Sequence, residues 1–104
     1  MLPKQNRIPS QEISAILRNG LRSRDTSIDL FYKKTTPIPR FAVIVSTKID
    51  KRATVRNRMK RLVREAVHHL LPSLSAPMDG VFVVRGKLPD NIVEIEKLVG
   101  ALLK

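Results

Sequence analysis

The sequence predicts an α+β fold, a two-layer α-β sandwich in which helices pack on one β-sheet. Segments with helical periodicity and short strand-like segments follow one another in the order α-β-β-β-α-β-α. A chain of 104 residues is expected to form a single domain, 1–104, because two independent cores would not fit. Its hydrophobic fraction of 42% is sufficient to bury one core.

The first half of the chain predicts one helix and three strands. Ser10 is the expected N-cap of a helix that ends at Asn19-Gly20. A short strand near Leu21–Arg24 precedes Ser27–Lys34, where apolar and polar residues alternate as in a half-buried strand. Arg40–Thr47 is apolar on both faces and is therefore predicted to be a central strand.

The second half predicts two helices and one strand. A basic helix is expected from about Ala53 to Leu71, ending at Pro72. A buried strand, Gly80–Arg85, and an amphipathic helix from about Asp90 to Leu103 complete the order.

The charge of the chain is large and uneven. The net charge of +11 and the pI near 11.0 indicate a polyanionic partner. Residues 1–64 carry sixteen Lys/Arg and four acids, whereas residues 65–104 carry four and five. Lys48–Arg64 is the densest part, with eight basic residues opposed only by Asp50. Composition alone leaves RNA, DNA and an anionic membrane open as partners.

Composition also bears on the compartment. The absence of cysteine excludes disulfides and thiolate metal sites and agrees with a reducing environment. No apolar run approaches the roughly 20 residues of a membrane helix, and the first ten residues lack a hydrophobic signal region. We therefore expect a soluble, cytoplasmic protein.

The basic helix has two nearly separate surfaces when its residues are placed 100° apart. One is an apolar stripe that would dock on the sheet, formed by Val55, Met59, Leu62, Val63, Ala66 and Leu70. The other is basic and would face outward, formed by Arg56, Asn57, Lys60, Arg61 and Arg64.

A solvated face stabilised by ion pairs four residues apart is the usual explanation of a charged helix. Here Arg56, Lys60 and Arg64 repeat every four residues with the same sign, and Glu65 is the only acid near them in the helix. Arginine forks bind phosphate oxygens bidentately, and the amide of Asn57 can reach a phosphate or a base edge. The pattern therefore favours nucleic acid as the partner.

Phe31 is one of only four aromatic residues in the chain. On its strand it falls on the polar face with Asp29 and Lys33, while Ile28 and Leu30 face inward. This position is compatible with ordinary surface packing. It is also compatible with a platform for an unpaired base, a contact worth about 1–3 kcal/mol.

Residues suited to catalysis by the protein itself are scarce. His68 and His69 are the only histidines, and neighbours on a helix point about 100° apart, which disfavours a shared metal. A favourable charge at the helix C-terminus explains them better. The nine acids are scattered along the chain. We predict neither a catalytic residue nor a metal site on the protein.

The run STKIDKRATVRNRMKRLVREA, residues Ser46–Ala66, resembles the signature of the bacterial ribonuclease P protein family. Its core is Arg56-Asn57-Arg58, followed by Lys60-Arg61 and Arg64-Glu65, directly after a predicted strand. Three flanking segments also stand in the family's order, namely Met1–Ile8, Arg18–Gly20 and Asp79–Arg85.

The resemblance implies a function. Members of this family are the small protein subunit of a ribonucleoprotein that removes the 5′ leader from precursor tRNA, while the RNA subunit carries the catalytic centre and its Mg²⁺. It implies ribonuclease P RNA and precursor tRNA as partners, with no DNA, no membrane and no cofactor bound by the protein alone. It also implies a fold like domain 2 of ribosomal protein S5, with a left-handed β-α-β crossover.

The resemblance also implies roles for individual residues. Contacts to RNA are expected from Lys48, Arg52, Arg56, Asn57, Arg58, Lys60, Arg61 and Arg64. The family holds the leader in a cleft between the first helix and the sheet, where Phe31 matches an aromatic position. Ile13 and Leu17 stand where many relatives have phenylalanine. We expect these two residues to pack against the leader without stacking on it.

Three alternatives to a processing role are compatible with parts of the pattern. A ribosomal-type RNA-binding protein fits the charge and the fold equally well, and only the Arg-Asn-Arg motif and its flanks argue against it. A DNA-binding basic helix is disfavoured because the helix lacks heptads and its apolar stripe is committed to the sheet. A membrane-surface helix is disfavoured because no Trp accompanies the basic face.

Overall fold

The computed structural model of the chain describes residues 2–25, 27–34, 37–74 and 77–103. Its seven main elements confirm the predicted order; they are α1 (Ser10–Asn19), β1 (Leu21–Arg24), β2 (Ile28–Lys33), β3 (Arg40–Val45), α2 (Ala53–Leu70), β4 (Asp79–Val84) and α3 (Ile92–Leu103). Single 3₁₀ turns lie at Lys4–Asn6 and Leu71–Ser73. The α+β class is confirmed.

The four strands form one sheet in the order β1-β2-β4-β3. β2 pairs antiparallel with both β1 and β4, and β3 runs parallel to β4. The parallel β3-α2-β4 unit matches the connection expected for the family, and the left-handed sense of its crossover stays a prediction.

The prediction that Arg40–Thr47 is a central strand was wrong, since β3 lies at an edge of the sheet. One face of the strand packs on α2, and the other carries the half-buried Ala42 and Ile44, which belong to a second apolar cluster; the strand is therefore apolar on both faces without having two neighbouring strands. Its outer edge is partly protected by the N-terminal segment. Arg7 forms a parallel bridge with Phe41, and the N–H of Ile8 donates to the carbonyl oxygen of Phe41 at 3.2 Å.

The larger part of the core lies between the sheet and the pair α2 and α3. Phe41 and Phe82 stack there at 5.8 Å between ring centroids, among buried residues of both helices such as Val63, Val67 and Val99. Burial of these side chains, each worth about 1.5–3 kcal/mol, fixes α2 to the sheet.

The opposite face of the sheet carries α1. Ile16 of this helix is buried against Val81 of β4 and Ile8 of the N-terminal segment. α1 packs on β2 and β4. The sheet therefore has helices on both faces, and α1 adds a partial third layer to the predicted two-layer sandwich.

The N-terminal end of α1 differs in detail from the expectation, whereas its C-terminal end lies at Asn19-Gly20 as predicted. Pro9 is the N-cap and Ser10 is the first helical residue, with no side-chain capping bond. At the other end, a Cβ on Gly20 would lie 2.6 Å from the carbonyl oxygen of Ile16, which explains why glycine stands there.

Arg40 ties α1 to the strands. Its guanidinium donates to both carboxylate oxygens of the buried Asp79, at 2.8 and 2.7 Å, and to Glu12 of α1 at 2.9 Å. The hydrogen bond to Asp79, followed by the one to Glu12, raises the pKa of Arg40 above its usual value.

Candidate RNA interface

The apolar stripe of α2 docks on the sheet as predicted. Val63 and Ala66 are fully buried, and the other predicted members are half-buried. Val67 is also fully buried, although the predicted stripe omitted it. The buried stripe is therefore wider than predicted on the side of Lys60 and Arg64, and this explains why these two basic residues are only half-exposed.

Four side chains on the outer part of α2 have no partner among the residues that the structure describes. Asn57 and Arg61 are exposed, and Lys60 and Arg64 are half-buried. None of the four forms a side-chain hydrogen bond or ion pair within residues 2–25, 27–34, 37–74 and 77–103. We name this set the free basic face; it presents three cations and one amide to solvent.

Two other predicted contact residues already have acidic partners. Arg52 donates from Nε and Nη2 to the carboxylate of Asp50, at 3.1 and 3.0 Å. This hydrogen bonding lowers the pKa of Asp50. Arg58 lies 2.6 Å from a carboxylate oxygen of Asp90, just before α3. These exposed pairs are weak in water, yet each guanidinium must leave or share its acid to contact a phosphate.

Arg56 and Lys48 lie at the entry to α2. Arg56 was expected to face outward, but it is half-buried and its Nη1 donates to the carbonyl oxygens of Asp50 and Lys51, at 3.0 and 2.8 Å. Its guanidinium therefore holds the loop that leads into the helix. Lys48 is exposed in the same loop.

The three residues predicted for the leader cleft come together on the α1 side of the sheet. Ile13, Leu17 and Phe31 are half-buried around the cluster of Ile16 and Val81. The same cluster extends over β3 and β4 through Ala42, Ile44 and Val83, which were not predicted as part of the site. Alternation along β3 could have revealed Ala42 and Ile44, since they occupy the positions between the core residues.

Asp29 was predicted to share an open polar face with Phe31, but it is only 1% exposed. Arginines cover it: Arg22 Nη2 lies 2.6 Å and Arg85 Nε 2.9 Å from Oδ2, and Arg24 Nε lies 3.9 Å from Oδ1. The Cζ atom of Arg22 also lies 5.2 Å from the ring centroid of Phe31. One side of the aromatic ring is therefore in contact with a cation.

Chemical groups for hydrolysis are sparse in the described part of the chain. Its His, Cys, Asp and Glu residues form no group of three or more that could hold a metal ion. His69 Nδ1 lies 2.5 Å from Glu96 Oε1, and this pair links α2 to α3. No helix in these residues has the length and apolar character needed to cross a membrane.

The chain is thus a small, basic protein of the α+β class with a free basic face on α2 and an apolar surface on the α1 side of the sheet. Residues 2–104 match the family model described as Ribonuclease P. The chain is 36% identical to the Ribonuclease P protein component of Nostoc punctiforme, over 94% of this chain and 91% of the relative. It is also 36% identical to that of Xanthomonas oryzae pv. oryzae, over 96% and 74%. The chain belongs to the ribonuclease P protein family.

Solved structures agree on the fold. The RNase P protein from Thermotoga maritima superposes with a TM-score of 0.83 at 23% identity, covering 94% of both chains. The RNase P protein of Staphylococcus aureus gives a TM-score of 0.75 at 20% identity, over 94% of this chain and 92% of that one. Family membership confirms the function inferred from the sequence, a subunit of the ribonuclease P ribonucleoprotein in tRNA maturation.

Proposed function

We propose that this chain is a non-catalytic subunit that binds ribonuclease P RNA through α2 and holds the 5′ leader of precursor tRNA on the α1 side of the sheet. The observation that carries the proposal is the free basic face. Lys60, Arg61 and Arg64 have no acidic partner in the described residues, so their mutual repulsion is relieved by bound phosphates.

The proposal assigns Mg²⁺ to the RNA subunit. Mg²⁺ prefers oxygen ligands from carboxylates and phosphates, and the described acids do not converge on one point. Phosphates of the RNA would supply the ligands instead. The protein would contribute cations that offset phosphate repulsion and a surface that positions the substrate. We place this work in the cytoplasm, as the family assignment suggests.

Leader binding is supported by the position of Phe31. It shares one apolar surface with Ile13 and Leu17, and that surface continues over half-buried residues of β3 and β4. An unpaired base or sugar can pack there without opening the core. Because Ile13 and Leu17 are aliphatic, Phe31 is the residue on which a base would stack.

Reconstitution tests the main proposal. The protein is added to ribonuclease P RNA, and precursor-tRNA cleavage is measured across a Mg²⁺ titration. We expect cleavage at Mg²⁺ concentrations where the RNA alone is inactive, and we expect the triple variant Lys60→Gln, Arg61→Gln, Arg64→Gln to lose this effect. A matched control is Lys97→Gln, which removes an exposed cation from α3. No stimulation by the unsubstituted protein would refute the proposal.

The leader role has its own test. Phe31→Ala should reduce the affinity of the holoenzyme for precursor tRNA while leaving mature tRNA unchanged, and a stacking contact of about 1–3 kcal/mol corresponds to about five- to 150-fold. The control is Leu21→Ala, which truncates an exposed apolar residue of β1. An unchanged precursor-to-mature ratio in Phe31→Ala would remove Phe31 from the leader surface.

A further inference from the structure

Three arginines converge at the β1 side of the sheet, beside the leader surface. In the strand register Arg22 pairs with Phe31 and Arg24 pairs with Asp29, so all four side chains share the α1 face. Arg85 follows β4 and reaches the same carboxylate. We name Arg22, Arg24 and Arg85 the arginine trio.

The trio carries more positive charge than its buried partner neutralises. Three guanidiniums surround one carboxylate, and that carboxylate neutralises at most one of them. Asp29 is 1% exposed, whereas the side chains of Arg22, Arg24 and Arg85 are 42%, 63% and 35% exposed. The carboxylate is thus buried beneath cationic heads that remain open to solvent.

The hydrogen bonds at Asp29 are also unevenly distributed. Arg22 donates a hydrogen bond to Oδ2 and Arg85 Nε lies 2.9 Å from the same oxygen, while Oδ1 is buried and has no hydrogen-bond partner in the described residues. Arg24 approaches Oδ1 only to 3.9 Å. Arg85 also donates to the carbonyl oxygen of Asp25, so its position is fixed from two directions. Arg24 therefore forms no hydrogen bond with the carboxylate, and its guanidinium can donate to another acceptor.

We propose that the arginine trio binds a backbone phosphate of single-stranded RNA whose adjacent base packs at Phe31. Arginine forks match phosphate oxygens, and Arg22 is in contact with the aromatic ring, which brings phosphate and base recognition to one place. Asp29 acts as a positioning residue, since it orients Arg22 and Arg85 without touching the RNA. This inference rests on the proposed leader-binding function and extends it to a specific phosphate.

The test uses the reconstituted holoenzyme and precursor tRNAs in which each leader phosphate in turn is replaced by an uncharged methylphosphonate. With the unsubstituted protein, replacement at one leader position should weaken binding of precursor tRNA by about five- to tenfold, as for loss of a partly exposed charge-assisted hydrogen bond. With the Arg24→Gln variant, the same replacement should weaken binding by less than about twofold. Arg24 is the most exposed member of the trio and the farthest from Asp29, so this variant retains the fold. Lys97→Gln, the matched loss of one cation on α3, should retain the full penalty.

Asp29→Asn separates positioning from charge. This variant raises the net charge by one, so a purely electrostatic effect would strengthen binding at every leader position. If Asp29 positions the arginines, the loss of affinity caused by replacement at the one leader position should disappear instead. A uniform gain in Asp29→Asn would overturn the positioning role, and an undiminished penalty in Arg24→Gln and Arg22→Gln would overturn the site. These binding measurements use holoenzyme that cleaves precursor tRNA at low Mg²⁺. If the added protein did not support cleavage at low Mg²⁺, the proposed function itself would be refuted.

Discussion

The effect on RNA binding of removing one cation from α2 should depend on whether that cation has an acidic partner. Arg61 belongs to the free basic face, whereas Arg58 lies 2.6 Å from a carboxylate oxygen of Asp90, a side chain that is 71% exposed. Arg61→Gln removes a charge that can release one counterion from RNA. Arg58→Gln removes a charge whose guanidinium is shared with Asp90. We expect only Arg61→Gln to change the salt dependence of RNA binding by a full contact.

The magnitude follows from counterion release. One phosphate contact contributes about 0.7–0.9 to the slope of log affinity against log salt, so a fourfold rise in salt changes the contribution of that contact by about threefold. The affinity ratio between the unsubstituted protein and Arg61→Gln should therefore shrink by about threefold between 50 and 200 mM salt. For Arg58→Gln the corresponding affinity ratio should change by less than about 1.5-fold over the same salt range, as is typical of an exposed pair.

The assay is binding of the protein to ribonuclease P RNA across a KCl series at one fixed Mg²⁺ concentration. Asp90→Asn serves as the complementary variant, because it frees Arg58 and removes an acid next to α2. It should strengthen binding and steepen the slope. Equal slopes for Arg61→Gln and Arg58→Gln, or weaker binding by Asp90→Asn, would refute the distinction between free and paired arginines.

Two further predictions concern stability, measured by urea unfolding. Gly80→Ala should cost about 1–3 kcal/mol by overpacking, because a Cβ there would lie 2.9 Å from two buried side chains, while Gly86→Ala, with its nearest atom at 3.6 Å, should change stability by less than about 0.5 kcal/mol. Arg40→Leu should cost about 2–4 kcal/mol because it leaves the buried Asp79 carboxylate without its fork, whereas Glu12→Gln should cost less than about 1 kcal/mol. Equal costs for either pair of variants would contradict the packing or the ion-pair argument.

Features determined by neighbouring residues could be predicted from the sequence. The stripe on α2 follows from a period of 3.6 residues, and Val63 and Ala66 are buried where that period places them. The order of elements follows equally from local pattern and turn residues. Val67 was missed because its helical angle lies between those of Arg56 and Lys60, and only the width of the contact with the sheet decides such a position.

Features determined by distant residues could not be predicted from the sequence. Asp29 is an acid in an alternating strand, and its burial depends on Arg85, which lies far along the chain. The edge position of β3 depends on β4 pairing between β2 and β3, and hydrophobicity alone does not distinguish a strand with two neighbouring strands from an edge strand with apolar residues on both faces. The pairing of Arg58 with Asp90 likewise joins residues from separate elements.

The central place of β4 has a consequence for assembly of the molecule. β4 is the last strand in the chain, yet β2 and β3 meet only through it. During synthesis α2 is complete before β4 emerges, so its cations can attract RNA before the helix has a sheet to dock on. The surface that joins Phe31 to Ala42 forms only when Val81 closes the gap between their strands. Attraction of RNA by charge can therefore precede folding, whereas the proposed leader surface requires the finished sheet.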